Sequence, residues 1–392
     1  MSSPRPRTAA SPLQVALDRR VLRARQDGRA APPGGVLAVS SRAGRRQAVA
    51  AGHRQVFDDV GPLDRPLPMT PRTAHDLGSL TKVVATTTAV LTRVDRGELS
   101  LDAPLSALLP AALSPRLGEL TCRELLLHRA GLWEWWPTYV TARSPDEAID
   151  LVLRLPPRYE RDAGRHYSDL GFMLLGAVVA DGRPLADVVD ELVLRPLDLA
   201  QTSYARPRVD DIACGARGDA IERRMLATGE PHPVPVAAAA FDGWRDRVRV
   251  GEVDDGNAFH AFGGVAGHAG LFSTAGDLLR WGRALLASLR GSGPWSRATV
   301  SQFFAAGPDE GQRLGFRSWQ SRCEDCMIEA FGHPGFPGVV AAVLPEHDAC
   351  VVLLTNRLHL SEPQQAVEIE PVWQAVLDDV HAMLHDPTWT EV

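Results

Sequence analysis

The β-branched runs of this 392-residue chain lie near its two ends, and the long middle has almost none. Period-two or fully apolar stretches at 36–40 and 47–51 read as strands, with a turn at 41–44 between them. The same signal returns only in the last third, at 327–331, 339–344 and 350–355. Pro345-Glu346-His347-Asp348 supplies the turn between the last two. Between about 100 and 260 the chain is helical and loop-rich, with many Pro and Gly breaks. Strands at both ends have to meet to bury their faces. The expectation is an α/β fold of the α+β type, with one antiparallel sheet formed by both termini and flanked by helices. The middle is then a large, mostly helical insertion. We expect a sheet domain of 1–94 with 262–392, an insertion of 95–261, and a cleft at their seam, where small ligands bind.

Helices are expected over 12–28, 79–97, 145–154, 170–179, 185–194, 274–289 and 372–384. Four prolines, Pro62, Pro66, Pro68 and Pro71, read as a connection leading into the second of these. The stretch 205–262 gives the weakest pattern. Composition is ordinary for a globular protein, with 45% hydrophobic and 23% charged residues. A net charge of -6, with 41 arginines scattered among 48 acids, implies no nucleic-acid partner. Seven arginines in the first 30 residues read as a solvated helix face. No apolar run resembles a signal h-region, and 170–180 is too short for a span of about 20 residues. The expectation is a cytoplasmic protein with no membrane span.

Five cysteines, Cys122, Cys214, Cys323, Cys326 and Cys350, do not form a disulfide framework. Cys323-x-x-Cys326 has no second pair to complete a zinc site, so a loop turn is the default reading.

The chain contains one lysine, Lys82. Arginine cannot give up its proton at usable pH, whereas a desolvated ammonium can become an amine and act as a base. Lys82 follows Ser79 by three residues at the start of an expected helix, which puts both side chains on one face. Ser-x-x-Lys is the nucleophile and base pair of one class of acyl-transfer enzyme. A bland alternative is that Arg-rich usage left one lysine at a random place. Tyr167, before an apolar helix, is a candidate proton shuttle, and equally a loop anchor. Phe331-Gly332-His333-Pro334-Gly335-Phe336 lets backbone approach a ligand, so the Phe336 and Ser79 N–H groups are candidates for an oxyanion hole. A β-bulge is the other reading. Trp133, Trp135 and Trp136 are candidates for an acyl-pocket wall or for packing. His260, His268 and His347 read as structural.

Taken in order, these elements resemble the serine β-lactamase and penicillin-binding protein superfamily, in its class C-like branch of D,D-peptidases and esterases. Ser79-x-x-Lys82 resembles the first motif, Tyr167-Ser168-Asp169 the second and His333-Pro334-Gly335 the third. Segments 125–132, 195–199 and 267–274 resemble flanking segments of that branch. The resemblance implies a β-lactamase/transpeptidase-like fold and an acyl-enzyme on Ser79. It implies Lys82, held neutral, as base, and Tyr167 returning a proton to the leaving group. His333, Gly335, Phe336, Asp169 and Trp133 are the implied substrate-side residues. No metal or organic cofactor is implied, and the partner is a small molecule or short peptide. Two positions depart from relatives. Asp169 stands where they have Asn, and a carboxylate there favours a charged Lys82. Asp169 is then protonated, or Tyr167 is the resting base, or Asp169 meets a cationic substrate group. Pro334 stands where they have Thr and withdraws a hydroxyl that grips a carboxylate. Weak or absent β-lactamase activity is the expectation, checked by nitrocefin turnover. The other function class is a non-catalytic descendant that binds a peptide or partner protein.

Overall fold

The structure, a computed structural model, describes residues 11–24, 26, 28–41, 45–109, 115–323 and 326–386. In chain order the strands are β1 (Gly34–Ser40), β2 (Arg46–Phe57), β3 (Pro62–Pro68), β4 (His75–Asp76), β5 (Ser203–Tyr204), β6 (Leu271–Ser273), β7 (Arg317–Cys323), β8 (Cys326–Gly335), β9 (Val339–Leu344) and β10 (Ala349–Thr355). Seven of them form one antiparallel sheet in the order β3-β2-β1-β10-β9-β8-β7. β1 therefore pairs directly with β10, Val36 opposite Leu354, which joins the two ends of the chain.

The pleat sorts side chains onto two faces. Leu37 and Val39 of β1 join Val340, Ala342 and Trp373 in one core, beneath a helix over Ile369–His385. The N-terminal helix adds Leu13, Leu17 and Val21 to that core. Val36 and Ala38 face the other way, into a larger core beneath the helix Ala275–Leu289. With both faces covered, β1, β9 and β10 are buried along their whole length.

The N-terminal helix ends at Leu22, short of the expected 28. The chain beyond it turns to pair with 365–367, where Ala30 N–H donates to the Gln365 carbonyl at 2.7 Å. The expected proline connection is also corrected, because Pro62, Pro66 and Pro68 lie within β3. β3 is one of the two edge strands, and an edge is where missing N–H donors are tolerated. β7 gave no apolar alternation to read, since Arg317, Gln320 and Arg322 face outward or half-outward. The 41–44 turn lies mostly outside the described residues, although β1 and β2 pair as expected. Cys323 and Cys326 face each other across the β7–β8 hairpin as free thiols, and residues 324–325 lie outside the described residues.

A second sheet, β4-β6-β5, has only short strands but sets the position of the site. Asp76 of β4 pairs with Phe272 of β6, so the segment entering Ser79 lies against the segment 267–273. Among the described residues no helix is long and apolar enough to cross a membrane.

Candidate active site

Ser79 stands in a tight turn that two contacts define. Asp76 Oδ1 accepts the Gly78 N–H at 2.9 Å, and the Gly78 backbone takes φ 45°. A Cβ at Gly78 would lie 2.4 Å from Pro337 Cδ, so both conformation and space demand glycine there. The helix that follows begins with Lys82–Thr87 and continues as Thr88–Asp95. It is buried on all sides, not along one stripe, and Lys82 is itself 0% exposed.

Three oxygens meet the Lys82 ammonium. Nζ donates to Ser79 Oγ at 2.9 Å and to the His268 carbonyl at 3.1 Å, and lies 2.7 Å from Asp169 Oδ1. Burial alone would lower the proton affinity of this lysine. The Asp169 charge, with a smaller contribution from Tyr167, overrides burial and raises it above the ordinary lysine value. The expectation of a lysine held neutral at rest is thus corrected: the carboxylate at 2.7 Å keeps it charged. The Tyr167 hydroxyl faces Ser79 and Lys82; burial raises its pKa and the Lys82 charge pulls it back.

The second motif is built by a helix start. Ser168 caps the helix Asp169–Ala180, its Oγ accepting from Gly171 N–H at 3.1 Å and donating to the Trp133 carbonyl at 2.6 Å. Asp169 N–H donates to the Glu134 carbonyl at 2.9 Å, which turns its side chain toward Lys82. His128 holds the same segment from two sides. Its carbonyl accepts from His166 N–H at 2.8 Å, and its Nδ1 accepts from Ser168 N–H at 3.0 Å. The His128 ring lies 4.6 Å from the Tyr167 ring, and its backbone takes φ 57°, rare outside glycine. Because Nδ1 accepts, the ring proton of neutral His128 sits on Nε2. Burial, with Arg165 and Lys82 adding to it, keeps this imidazole well below its ordinary pKa.

The third motif ends β8 beside the Ser79 turn. A Cβ at Gly335 would lie 2.2 Å from the Leu77 carbonyl, so this strand approaches the turn as closely as backbone allows. Among the described residues neither Ser79 N–H nor Phe336 N–H has a backbone or side-chain acceptor. His333 is buried, its ring 5.8 Å from that of Tyr167, and burial and Lys82 keep it neutral.

Two arms of one cleft meet at this point, both lined by Ser79, Tyr167 and Phe336. The larger, of about 490 Å³, runs past Trp135, Asp169, Glu222 and Asp255. The smaller, of about 330 Å³, is lined by Arg165, Arg317, His333, Gly335 and Glu370. Trp133 lines neither arm. Its indole N–H donates to the Pro156 carbonyl at 2.8 Å and Arg158 lies over its ring, while Trp135 takes the wall. Sequence reasoning therefore brought Ser79, Lys82, Tyr167, Asp169, His333, Gly335 and Phe336 to one place. It missed His128, the His268 carbonyl, Asp255, Arg165 and Arg317. His128 and His268 stood inside the flanking segments already singled out, which was the available signal. His268 is also held by Asp255, Nε2 to Oδ1 at 3.0 Å.

A sequence profile described as Beta-lactamase matches residues 19–370. N-acetylmuramyl-L-alanine amidase of Bacillus subtilis (strain 168) is 29% identical over 351 residues, 83% of this chain and 78% of that protein. The putative D-alanyl-D-alanine carboxypeptidase of Escherichia coli (strain K12) is 27% identical over 345 residues, 80% of this chain and 76% of that protein. Among solved structures, D-amino acid amidase from Ochrobactrum anthropi SV3 superposes with a TM-score of 0.67 at 20% identity, covering 94% of this chain and 98% of that one. A class C beta lactamase from Rhodobacter sphaeroides superposes with a TM-score of 0.62 at 20% identity, covering 96% and 100%. The two superpositions show the shared fold.

Proposed function

Since this chain belongs to the beta-lactamase family, whose members compared above are hydrolases, we propose that it is a serine hydrolase that forms an acyl-enzyme on Ser79. The substrate in this reading is an ester or a D-amino-acid amide or short peptide. The printed names of the amidase and carboxypeptidase relatives support that class. In this reading the site lies at the seam between 1–94 with 262–392 and the insertion 95–261.

The observation that carries the proposal is the buried lysine, in hydrogen-bond contact with a serine at the junction of two cleft arms. The proton inventory then follows. At rest Lys82 is charged and Asp169 is its counter-ion. Asp169 is 17% exposed, and a bound substrate strips water from it. Loss of water favours the neutral form of the pair, in which one Lys82 proton has passed to Asp169. The free amine takes the Ser79 proton as Oγ bonds to the carbonyl carbon, and the carbonyl electron pair moves to oxygen. The Ser79 and Phe336 N–H groups hold that oxyanion. On collapse the bond to the leaving group breaks, the leaving group takes the Tyr167 proton, and Tyr167 is reprotonated by Lys82. The amine and protonated Asp169 are then restored to activate water for release of the acyl group.

The test is intact mass after mixing with p-nitrophenyl acetate. An acetyl adduct mapping to Ser79 and absent from Ser79→Ala supports the proposal, as does a fall in turnover of roughly 10³-fold or more. A second reading, a binding protein that no longer turns over, draws on the same ion pair, because a permanently charged Lys82 cannot act as base. No adduct at any pH favours that reading.

A further inference from the structure

The Cys323-x-x-Cys326 pair reads from the sequence as a loop turn, yet the fold makes its two ends a rung of the seven-stranded sheet. Cys323 closes β7 and Cys326 opens β8, and the two are register partners in the antiparallel ladder. Directly opposed residues in such a ladder have Cα atoms about 4.5–5.5 Å apart and side chains on one face. A disulfide spans Cα separations of about 4.4–6.8 Å, so this rung lies inside the range that a bridge needs. The face is the one covered by the helix Ile369–His385. At the next rung on that face, Ser321 Oγ donates to Asp378 Oδ1 at 2.7 Å and Ile328 lies in the core. Cys326 packs at the margin of that core, and neither Cys323 nor Cys326 is fully buried. The other three cysteines differ. Cys122, Cys214 and Cys350 are 0–1% exposed, and burial pushes each thiol up to about 12. Cys350 faces Ser40 and Val343 across its ladders, not a second thiol. The thiolate is the nucleophile, so these three are inert at neutral pH.

We infer that Cys323 and Cys326 form a thiol–disulfide exchange site at the end of the β7–β8 hairpin, with a small-molecule disulfide as its oxidant. The inference is independent of the acyl-enzyme reading. One cysteine thiolate attacks a sulfur of R–S–S–R; a protein–S–S–R bond forms and R–S⁻ leaves. The thiolate of the opposite cysteine then attacks the protein-side sulfur; the Cys323–Cys326 bond forms and the second R–S⁻ leaves. The two thiol protons end on the two R–S⁻ groups, so the protein loses two hydrogens and one small disulfide becomes two thiols. A bridge that closes so short a loop constrains the unfolded chain little, and both residues keep part of their surface in solvent. Both features make it a bond that is readily reduced, not a permanent staple. What it clamps is an edge. β7 is an outer strand of the sheet, paired only to β8, and β8 runs on to His333 and Gly335 of the candidate site.

The experiment equilibrates the 392-residue chain at neutral pH over a series of glutathione disulfide to glutathione ratios, quenches with acid, alkylates the remaining thiols in denaturant and maps the peptides. In the folded chain Cys323 and Cys326 are expected to lose alkylation together. The step is a single two-electron oxidation, with a mass lower by about 2 Da and full recovery in dithiothreitol. Cys122, Cys214 and Cys350 stay alkylated. Repeating the series in urea separates the fold's contribution from nearness in sequence. At one glutathione poise the ratio of bridged to reduced pair is expected to be about tenfold or more higher in the folded chain, because the register holds the two sulfurs opposed. In Cys323→Ser the single remaining thiol is expected to stop at the mixed disulfide and carry glutathione. Accumulation of the mixed disulfide in the wild type overturns the inference, as does parallel oxidation of the three buried cysteines. Equal ratios in the folded and urea-unfolded chains overturn it too, and so does a pair that stays reduced at every poise. If Cys323→Ser fails to fold, the folded-against-urea comparison of the wild type still decides.

Discussion

Buried cations in this molecule are held in two opposite ways. Arg245 and Arg249 lie 2–3% exposed against Asp219 and Asp254, which are 1–2% exposed. Asp219 accepts from both guanidiniums and from His260 at 3.0 Å, and Arg245 adds a bond to the Val253 carbonyl at 2.7 Å. That knot is closed, and its cations cannot deprotonate. Lys82 is equally buried, yet its carboxylate partner opens onto a cleft and its third contact is a hydroxyl. Arginine stands in the closed knot, and in the proposed mechanism the one lysine stands where a proton moves. Asp76 connects the two, accepting from Asp254 N–H at 2.6 Å on one side and from Gly78 N–H on the other. Burial and the neighbouring Asp254 push Asp76 up to about 7.

The largest effect expected from breaking this contrast is on folding. Asp219→Asn takes from the buried Arg245 its close carboxylate and leaves Arg249 with Asp254 alone, at a cost of about 3–5 kcal/mol. The check is the urea midpoint at unchanged slope; a change well under 1 kcal/mol contradicts the knot. The pH dependence has a definite sign. Burial alone would raise the Asp219 pKa, but hydrogen bonds from His260 and Arg245 hold it far below the usual carboxylate range. Its stabilisation is therefore present above the unfolded value near 4 and drains away as pH falls. Asp219→Asn is expected to lose that part of the acid dependence.

Asp169→Asn probes the open side of the contrast. It removes the charge that raises the Lys82 pKa and leaves the burial that lowers it. In the wild type the proton moves within the pair, whereas in Asp169→Asn it must leave to solvent, so kcat/KM for p-nitrophenyl acetate is expected to gain a rise with pH that the wild type lacks. A pH profile unchanged from the wild type means that Lys82 is not the titrating group.

The smallest effect concerns position. His128→Leu removes the acceptor for Ser168 N–H and frees the Tyr167 segment. A fall in kcat of roughly 10- to 100-fold with little change in KM is expected. His128→Asn keeps a side-chain acceptor and should recover part of it. Equal losses in both variants, or a loss only in KM, contradict the positioning role.

What the sequence disclosed was what is local. Ser79 and Lys82 are neighbours because a helix turn makes them so, and β1, β9 and β10 announce themselves by unbroken apolar residues. Asp169 was legible as a departure, but its contact with Lys82 depends on how two distant helix starts face each other. His128 acts through a left-handed backbone and a ring nitrogen, neither of which has a pattern. Arg165 and Arg317 come from a loop and from a strand too polar to recognise, and only the fold brings them to one wall. Trp133 and Trp135 could not be told apart until the chain's path turned one to Pro156 and the other to the cleft.

Fluorophosphonate labelling of folded Lys82→Arg across about pH 6 to 10 puts the single lysine to trial. The substitution keeps the positive charge and removes only the capacity to release a proton. The account predicts wild-type labelling at Ser79 throughout this range and almost none in the variant at any pH. Labelling of the variant at the wild-type rate would contradict it.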